Sequence, residues 1–107
     1  MKKQPLTFEK LRHENVNRCI ENYHPLNSWS HLEWAGAICG ESGEFANMAK
    51  KLKRGQEISP DELGKELADI VIYCDLAAAA LGLKLEDFII SKFNEVSDRN
   101  PKSPRRL

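Results

Sequence analysis

With 107 residues, 41% hydrophobic and 30% charged, the chain has the material for one domain with a modest core, a balance that fits neither a disordered nor a membrane-spanning protein. Sixteen basic residues offset sixteen acidic ones, which argues against bulk nucleic acid or an anionic membrane as the main partner; any charge that matters must be local. No apolar stretch is long enough to span a bilayer, and no apolar run follows Met1-Lys2-Lys3-Gln4-Pro5, so no signal peptide is read and a cytoplasmic protein is expected.

Residues 8 to 23 place Phe8, Leu11, Val16, Cys19, Ile20 and Tyr23 at helical spacing behind Thr7 as a cap. His24-Pro25-Leu26-Asn27 breaks that helix. Ser30 followed by Glu33 has the form of a capping box and opens a second helix running to about Lys53. Ser59-Pro60-Asp61-Glu62 combines a serine cap, proline at the first helical position and glutamate at the third. The third helix then runs through Leu63, Leu67, Ile70, Val71, Cys74 and Ala77 until Gly82, a residue suited to the left-handed position past a helix end. A final helix covers about Leu85 to Ser97, with Leu85, Phe88, Ile89 and Phe93 expected to face the core. Residues 100–107, with two prolines and three basic side chains, read as a loose basic tail.

No period-two alternation and no internal repeat is visible, so the expected fold is all-α: a single domain built as a bundle of about four helices. Four helices from a chain this short leave apolar surface that a second subunit could cover, and homo-oligomerisation is expected to complete the bundle. Cys19, Cys39 and Cys74 are odd in number, widely spaced and embedded in helical patterns, which reads as small core residues in a reducing compartment.

The chemistry begins on the second helix. At about 100° per residue, Trp34, Ala37, Ile38, Phe45, Met48 and Leu52 form one apolar stripe, with Glu41 in its middle and Glu44 at its edge. A buried carboxylate without a partner costs several kcal/mol, so something cationic must meet Glu41: a Lys or Arg from another helix, or a metal ion. On the third helix Leu63, Leu67, Ile70, Val71 and Cys74 define the apolar face, while Glu62, Glu66, Asp69 and Tyr73 stack along one flank, which taken alone could be a solvated surface. Antiparallel packing of the two helices would bring Glu41 and Glu44 to Glu66 and Asp69. Four converging carboxylates are tolerable only around a multivalent cation, and all-oxygen donors favour magnesium, with manganese as the alternative, over zinc. A di-iron site would need Glu-x-x-His pairs, and His13, His24 and His31 lie outside the acidic motifs.

Gly40 and Gly43 each cost about 0.5 to 1 kcal/mol within a helix, which close approach by a neighbouring helix or a ligand would explain. Lys50, Lys51, Lys53 and Arg54 gather positive charge at the end of the second helix; they suit its dipole, and Lys51 or Arg54 could reach a phosphate. Trp29, His31 and Trp34 are candidates for stacking, with core packing the competing role for Trp34.

Glu41-Ser42-Gly43-Glu44, followed after a spacer by Glu66-Leu67-Ala68-Asp69, resembles the ExxE and ExxD signature of MazG-type nucleotide pyrophosphohydrolases. The likeness extends over Gly40 through Lys51, Lys65 through Tyr73 and Ser91 through Arg99, in the family's order, and covers roughly residues 29 to 107. It implies an α-helical NTP pyrophosphatase fold working as a dimer or tetramer, with Glu41, Glu44, Glu66 and Asp69 as metal ligands. It further implies that Tyr73 lies beside the nucleotide and that Lys92, Asn94 and Arg99 contact phosphates or a neighbouring subunit. Lys84 stands where relatives often carry an acidic residue, so the cap of the last helix is expected to differ.

The function that follows as an expectation is magnesium-dependent hydrolysis of a nucleoside triphosphate to the monophosphate and pyrophosphate. Glu41 or Glu44 would accept the attacking water's proton. Two rival readings stand beside it: an acidic cleft that binds nucleotide or metal without turnover, and a structural or regulatory helical oligomer in which Glu41 is paired with Lys or Arg.

Overall fold

The computed structural model describes residues 4–100 and 102–107, and these form four α-helices. Helix α1 (Phe8–Asn22) opens where the Thr7 hydroxyl accepts from the Lys10 amide at 3.0 Å. A 3-10 turn at Leu26–Ser28 leads into α2 (His31–Lys53), whose start is the full capping box: Ser30 Oγ accepts from the Glu33 amide while Glu33 Oε1 accepts from the Ser30 amide. Ser59 caps α3 (Pro60–Ala80) through the Glu62 amide. Gly82 adopts φ +73°, and with the Leu83 amide donating to Ala78 O at 2.9 Å it ends α3 in the left-handed turn its sequence suggests. Helix α4 (Leu85–Arg99) begins at Lys84 with no side-chain cap, as the basic residue there implies.

Helices α2 and α3 form a hairpin across residues 54–59, and α1 lies against α3. The buried apolar centre is small: Cys19 of α1, Trp34 of α2 and Leu76 of α3, surrounded by half-buried Val16, Leu26, Trp29, Tyr73, Ala77 and Ala80. Two polar groups are buried with it. Asp75 is 1% exposed; its Oδ1 accepts from Arg12 Nε at 2.9 Å and its Oδ2 from Asn15 Nδ2 at 3.1 Å. Asn15 Nδ2 also donates to Ile72 O at 2.9 Å, so one charge-assisted network docks α1 onto α3.

The chain is more open than a self-contained domain of its size. Its radius of gyration is 16.6 Å, against about 13 Å expected for a compact chain of this length. Its accessible surface of 8440 Å² exceeds by about 2,400 Å² the area typical of a folded monomer of this mass.

Four expectations are corrected here. Helix α4 does not face the core: Phe88 is 52% and Phe93 41% exposed, Ile89 is exposed too, and Leu85 alone of the four is half-buried. On α3, Leu67 and Val71 are exposed, because α2 packs over the face carrying Leu63, Glu66, Asp69, Ile70 and Tyr73; the acidic residues take the inward position and leave the apolar pair uncovered. Cys19 is buried and Cys74 half-buried, but Cys39 is exposed on the outer side of α2. The tail does not hang free: Asn94 holds the backbone of Leu107 from both sides, with Leu107 N donating to Oδ1 at 2.9 Å and Nδ2 donating to Leu107 O at 3.2 Å, and Arg106 pairs with Asp98.

Candidate metal centre and the adjoining cavity

The least exposed positions of α2 are Trp34, Ala37, Ile38, Glu41, Phe45 and Met48, so Glu41 is carried inward by the stripe that packs the helix. Glu66 and Asp69, one turn apart on α3, meet it. Carboxylate oxygens of Glu41, Glu66 and Asp69 lie within 4.8 Å of one another, and all three residues are half-buried. Glu44, one turn beyond Glu41, is exposed at the mouth of the cluster.

Burial pushes the Glu41 carboxyl above its ordinary value, and the charges of Glu44, Asp69 and Glu66 push it further. Burial raises Glu66 as well, with hydrogen bonding to and repulsion from Glu44 next in weight, then repulsion from Asp69. A hydrogen bond between two carboxyls needs a proton on one of the two, so when all are ionised these groups only repel one another. Among the described residues, Glu41 Oε2 and Glu66 Oε2 are buried with no hydrogen-bond partner.

No basic side chain among the described residues forms an ion pair with the cluster. The ion pairs among the described residues are Arg12–Asp75, Lys92–Glu95, Arg99–Glu95 and Arg106–Asp98, and none reaches the cluster. Among the described residues, therefore, no Lys or Arg supplies the partner for Glu41, one of the two cations that its position calls for. Two orphaned inward oxygens and an all-oxygen donor set, with no ammonium or guanidinium paired to them among the described residues, are compatible with a hard divalent ion.

Beside the cluster lies a cavity of about 310 Å³. Asp69 belongs to both. The other walls are flat rings and apolar side chains: His24 stacks on Trp29 with ring centres 4.3 Å apart and 23° between planes, and Trp29 meets Trp34 at 4.6 Å and 58°. Tyr73, Ile72 and Leu76 close the α3 side, and Asn15, Arg18 and Cys19 the α1 side. Burial raises the Tyr73 hydroxyl above its usual range, and the nearby charges of Glu41 and Asp69 add to the effect.

Of the residues singled out in the sequence, the structure thus gathers Glu41, Glu44, Glu66, Asp69 and Tyr73, with Trp29 in the cavity wall and Trp34 serving both core and cavity. The rest stand apart within one protomer. Lys51 and Arg54 are exposed, about 15 and 20 Å along the helix axis from Glu41. Lys92 pairs with Glu95 at 3.2 Å, Asn94 is occupied by Leu107, and neither lines the cavity. Gly40 and Gly43 have open space around them, so no helix of the same protomer explains them.

Sequence reading passed over Asn15, Asp75, Arg18 and His24. The signal for Asp75 was present, since a carboxylate between Cys74 and Leu76 in an apolar run is as anomalous as Glu41. Asn15 is a polar residue four before buried Cys19 on the same face of α1. Comparison with protein-family models, with curated proteins and with solved structures returns no match.

Proposed function

We propose that this chain is a magnesium-dependent nucleotide pyrophosphohydrolase of the MazG type, converting a (d)NTP to its monophosphate and pyrophosphate. The observation that carries the reading is the inward cluster of Glu41, Glu66 and Asp69, with two buried oxygens lacking any partner, sharing Asp69 with an aromatic cavity. Glu41, Glu66 and Asp69 would hold the ion, Mg²⁺ or alternatively Mn²⁺, with Glu44 completing the set from the rim. Bound there, the ion supplies Lewis-acid neutralisation of the triphosphate and acidifies a water.

The chain's own residues do the rest. The aromatic walls formed by His24, Trp29, Trp34 and Tyr73 hold the base, which orients the phosphate chain across Asp69 toward the carboxylates. Glu44 is the most solvent-accessible of the four carboxylates and the one outside the tight triad, so it is the group free to accept the proton of the attacking water.

The active form is a homo-oligomer, a dimer or tetramer. The uncovered apolar side chains of α4, with Leu67 and Val71 of α3, and the surplus surface of about 2,400 Å² are of the size an obligate homodimer buries. Lys51, Arg54, Lys92 and Asn94, remote from the carboxylates of their own protomer, would serve phosphate across that interface. The three free cysteines fit a reducing cytoplasm, and no helix among the described residues is long and apolar enough to cross a membrane.

The test is pyrophosphate release from a panel of (d)NTPs with Mg²⁺. Glu44→Gln and Asp69→Asn should each abolish release while the helical circular dichroism stays intact. Unchanged turnover in both would remove the assignment, and nucleotide-dependent thermal stabilisation without product would make the cleft a binding module.

A further inference from the structure

Asn15 is 4% exposed and lines the aromatic cavity, yet its amide nitrogen does not serve the cavity. Nδ2 gives its two hydrogens to Ile72 O and Asp75 Oδ2, and both of those atoms are acceptors. Turning the amide over would set a carbonyl oxygen against a carbonyl and a carboxylate, so the network fixes which end is which. Asp75 cannot swing away to relax that choice, because its other oxygen is held by Arg12. Among the described residues no donor reaches Asn15 Oδ1. Among the aromatic and aliphatic walls, and apart from the charged Arg18 and Asp69, the cavity therefore has in Asn15 an acceptor locked in orientation from behind. On another wall Trp34, 2% exposed, has its Nε1–H buried without an acceptor among the described residues.

We propose that Asn15 is the specificity-determining acceptor of this cavity, selecting a nucleobase that presents an amino or ring N–H at its edge, with the ring held between the aromatic walls. The inference rests on the nucleotide reading above and deepens it. Stacking on Trp29, Trp34, His24 and Tyr73 is blind to the base edge, since every heterocycle offers a flat face. The edge must be read by a polar group whose orientation cannot adapt. Asn15 meets that condition: a ligand without an N–H leaves Oδ1 dehydrated and unpaired, which a flexible side chain would avoid by rotating and this one cannot. Arg12 and Asp75 are positioning residues in this scheme.

Both tryptophans of the chain line the cavity, so intrinsic fluorescence reads its occupancy without turnover. Nucleosides rather than nucleotides are the probe, titrated into the unaltered protein with chelator present, because the metal-free carboxylates would repel phosphate. Cytidine, adenosine and uridine are each paired with an analogue lacking the N–H: pyrimidin-2-one riboside, purine riboside and N3-methyluridine. The tightest parent should quench fluorescence and bind about ten- to a hundredfold more tightly than its stripped analogue. Asn15→Leu should bring the two to equal affinity; should that variant not fold, the ligand pairs on the unaltered protein decide alone. Equal affinities for parent and analogue in the unaltered protein, or no quenching by any nucleoside, overturns the proposal. Pyrophosphate release is scored separately. Turnover with an undiscriminating cavity sinks this inference alone, and discrimination with no turnover sinks the hydrolase reading alone.

Discussion

Replacing Arg12 by Met probes the network that docks α1 and orients the cavity wall. Arg12 Nε lies 2.9 Å from an oxygen of Asp75, whose side chain is 1% exposed against 26% for Arg12. Methionine keeps most of the aliphatic volume but leaves the Asp75 carboxylate with Asn15 as its sole donor and no route to water. Stranding a buried charge in this way costs about 3–5 kcal/mol, a large part of the roughly 5–15 kcal/mol that stabilises a domain. The converse change should be milder: in Asp75→Asn the buried site becomes neutral and Arg12 can turn its head to solvent, a loss of about 1.5–3 kcal/mol for a hydrogen bond to a charged group. Converting both, Arg12→Met with Asp75→Leu, should recover much of the deficit, since no buried charge is left. Urea unfolding followed by tryptophan fluorescence at fixed protein concentration measures all three. A cost below about 1 kcal/mol for Arg12→Met, or Asp75→Asn proving the more damaging, would show that the pair does not hold α1 in place.

Magnesium should raise the melting temperature and chelator should reverse the rise; at a hundred times its Kd the gain is about 2.7 kcal/mol, or roughly 10–20 °C for a chain this size. Glu41→Gln should stabilise the metal-free protein and remove most of the magnesium shift, and a magnesium response equal to that of the unaltered chain would mean that the ion binds elsewhere. For pH, the sign follows from direction: Glu41 and Glu66 titrate above 4.5 in the folded state, so the folded chain binds more protons than the unfolded one from 4.5 up to those raised values. The cluster therefore lowers stability as pH rises through that window, and doubly substituted Glu41→Gln/Glu66→Gln protein should lose that falling component when urea midpoints are compared between about pH 5 and pH 8. Phe93→Glu on the uncovered face of α4 should shift sedimentation toward the monomer, whereas an unchanged sedimentation coefficient would leave that face outside any subunit contact. Gly40→Ala should stabilise by about 0.5–1 kcal/mol if solvent covers that side of α2, and destabilise if a second subunit packs there.

Local rules reached far in this chain. Thr7, Ser30 with Glu33, and Ser59 with Pro60 set the helix starts, and Gly82 sets a helix end, because capping chemistry involves only residues a few positions apart. The acidic cluster was legible for a similar reason: a glutamate inside an apolar stripe is an electrostatic contradiction that one helix exhibits by itself, and an i, i+3 carboxylate pair on the next helix offers the natural convergence. Periodicity could not say which stripe of α3 would be covered. Leu67 and Val71 look as apolar as Leu63 and Ile70, and only the placement of α2 separates them. Helix α4 shows the same limit, since its amphipathic pattern promises a covered face and the fold leaves Phe88, Ile89 and Phe93 exposed.

Sequence by itself determined the all-helical character, the four segments with their ends, and the place of Glu41 inside an apolar stripe. All of these follow from backbone geometry and side-chain spacing within a single helix or hairpin. Only the tertiary structure decided that α1 would bring Asn15 and Arg12 to Asp75, that His24, Trp29 and Trp34 would stack into a cavity sharing Asp69 with the acidic cluster, and that α4 would stay uncovered. The contacts of Arg12 and Asn15 with Asp75 join residues 63 and 60 positions apart, and nothing short of packing the helices together fixes which side chain meets which.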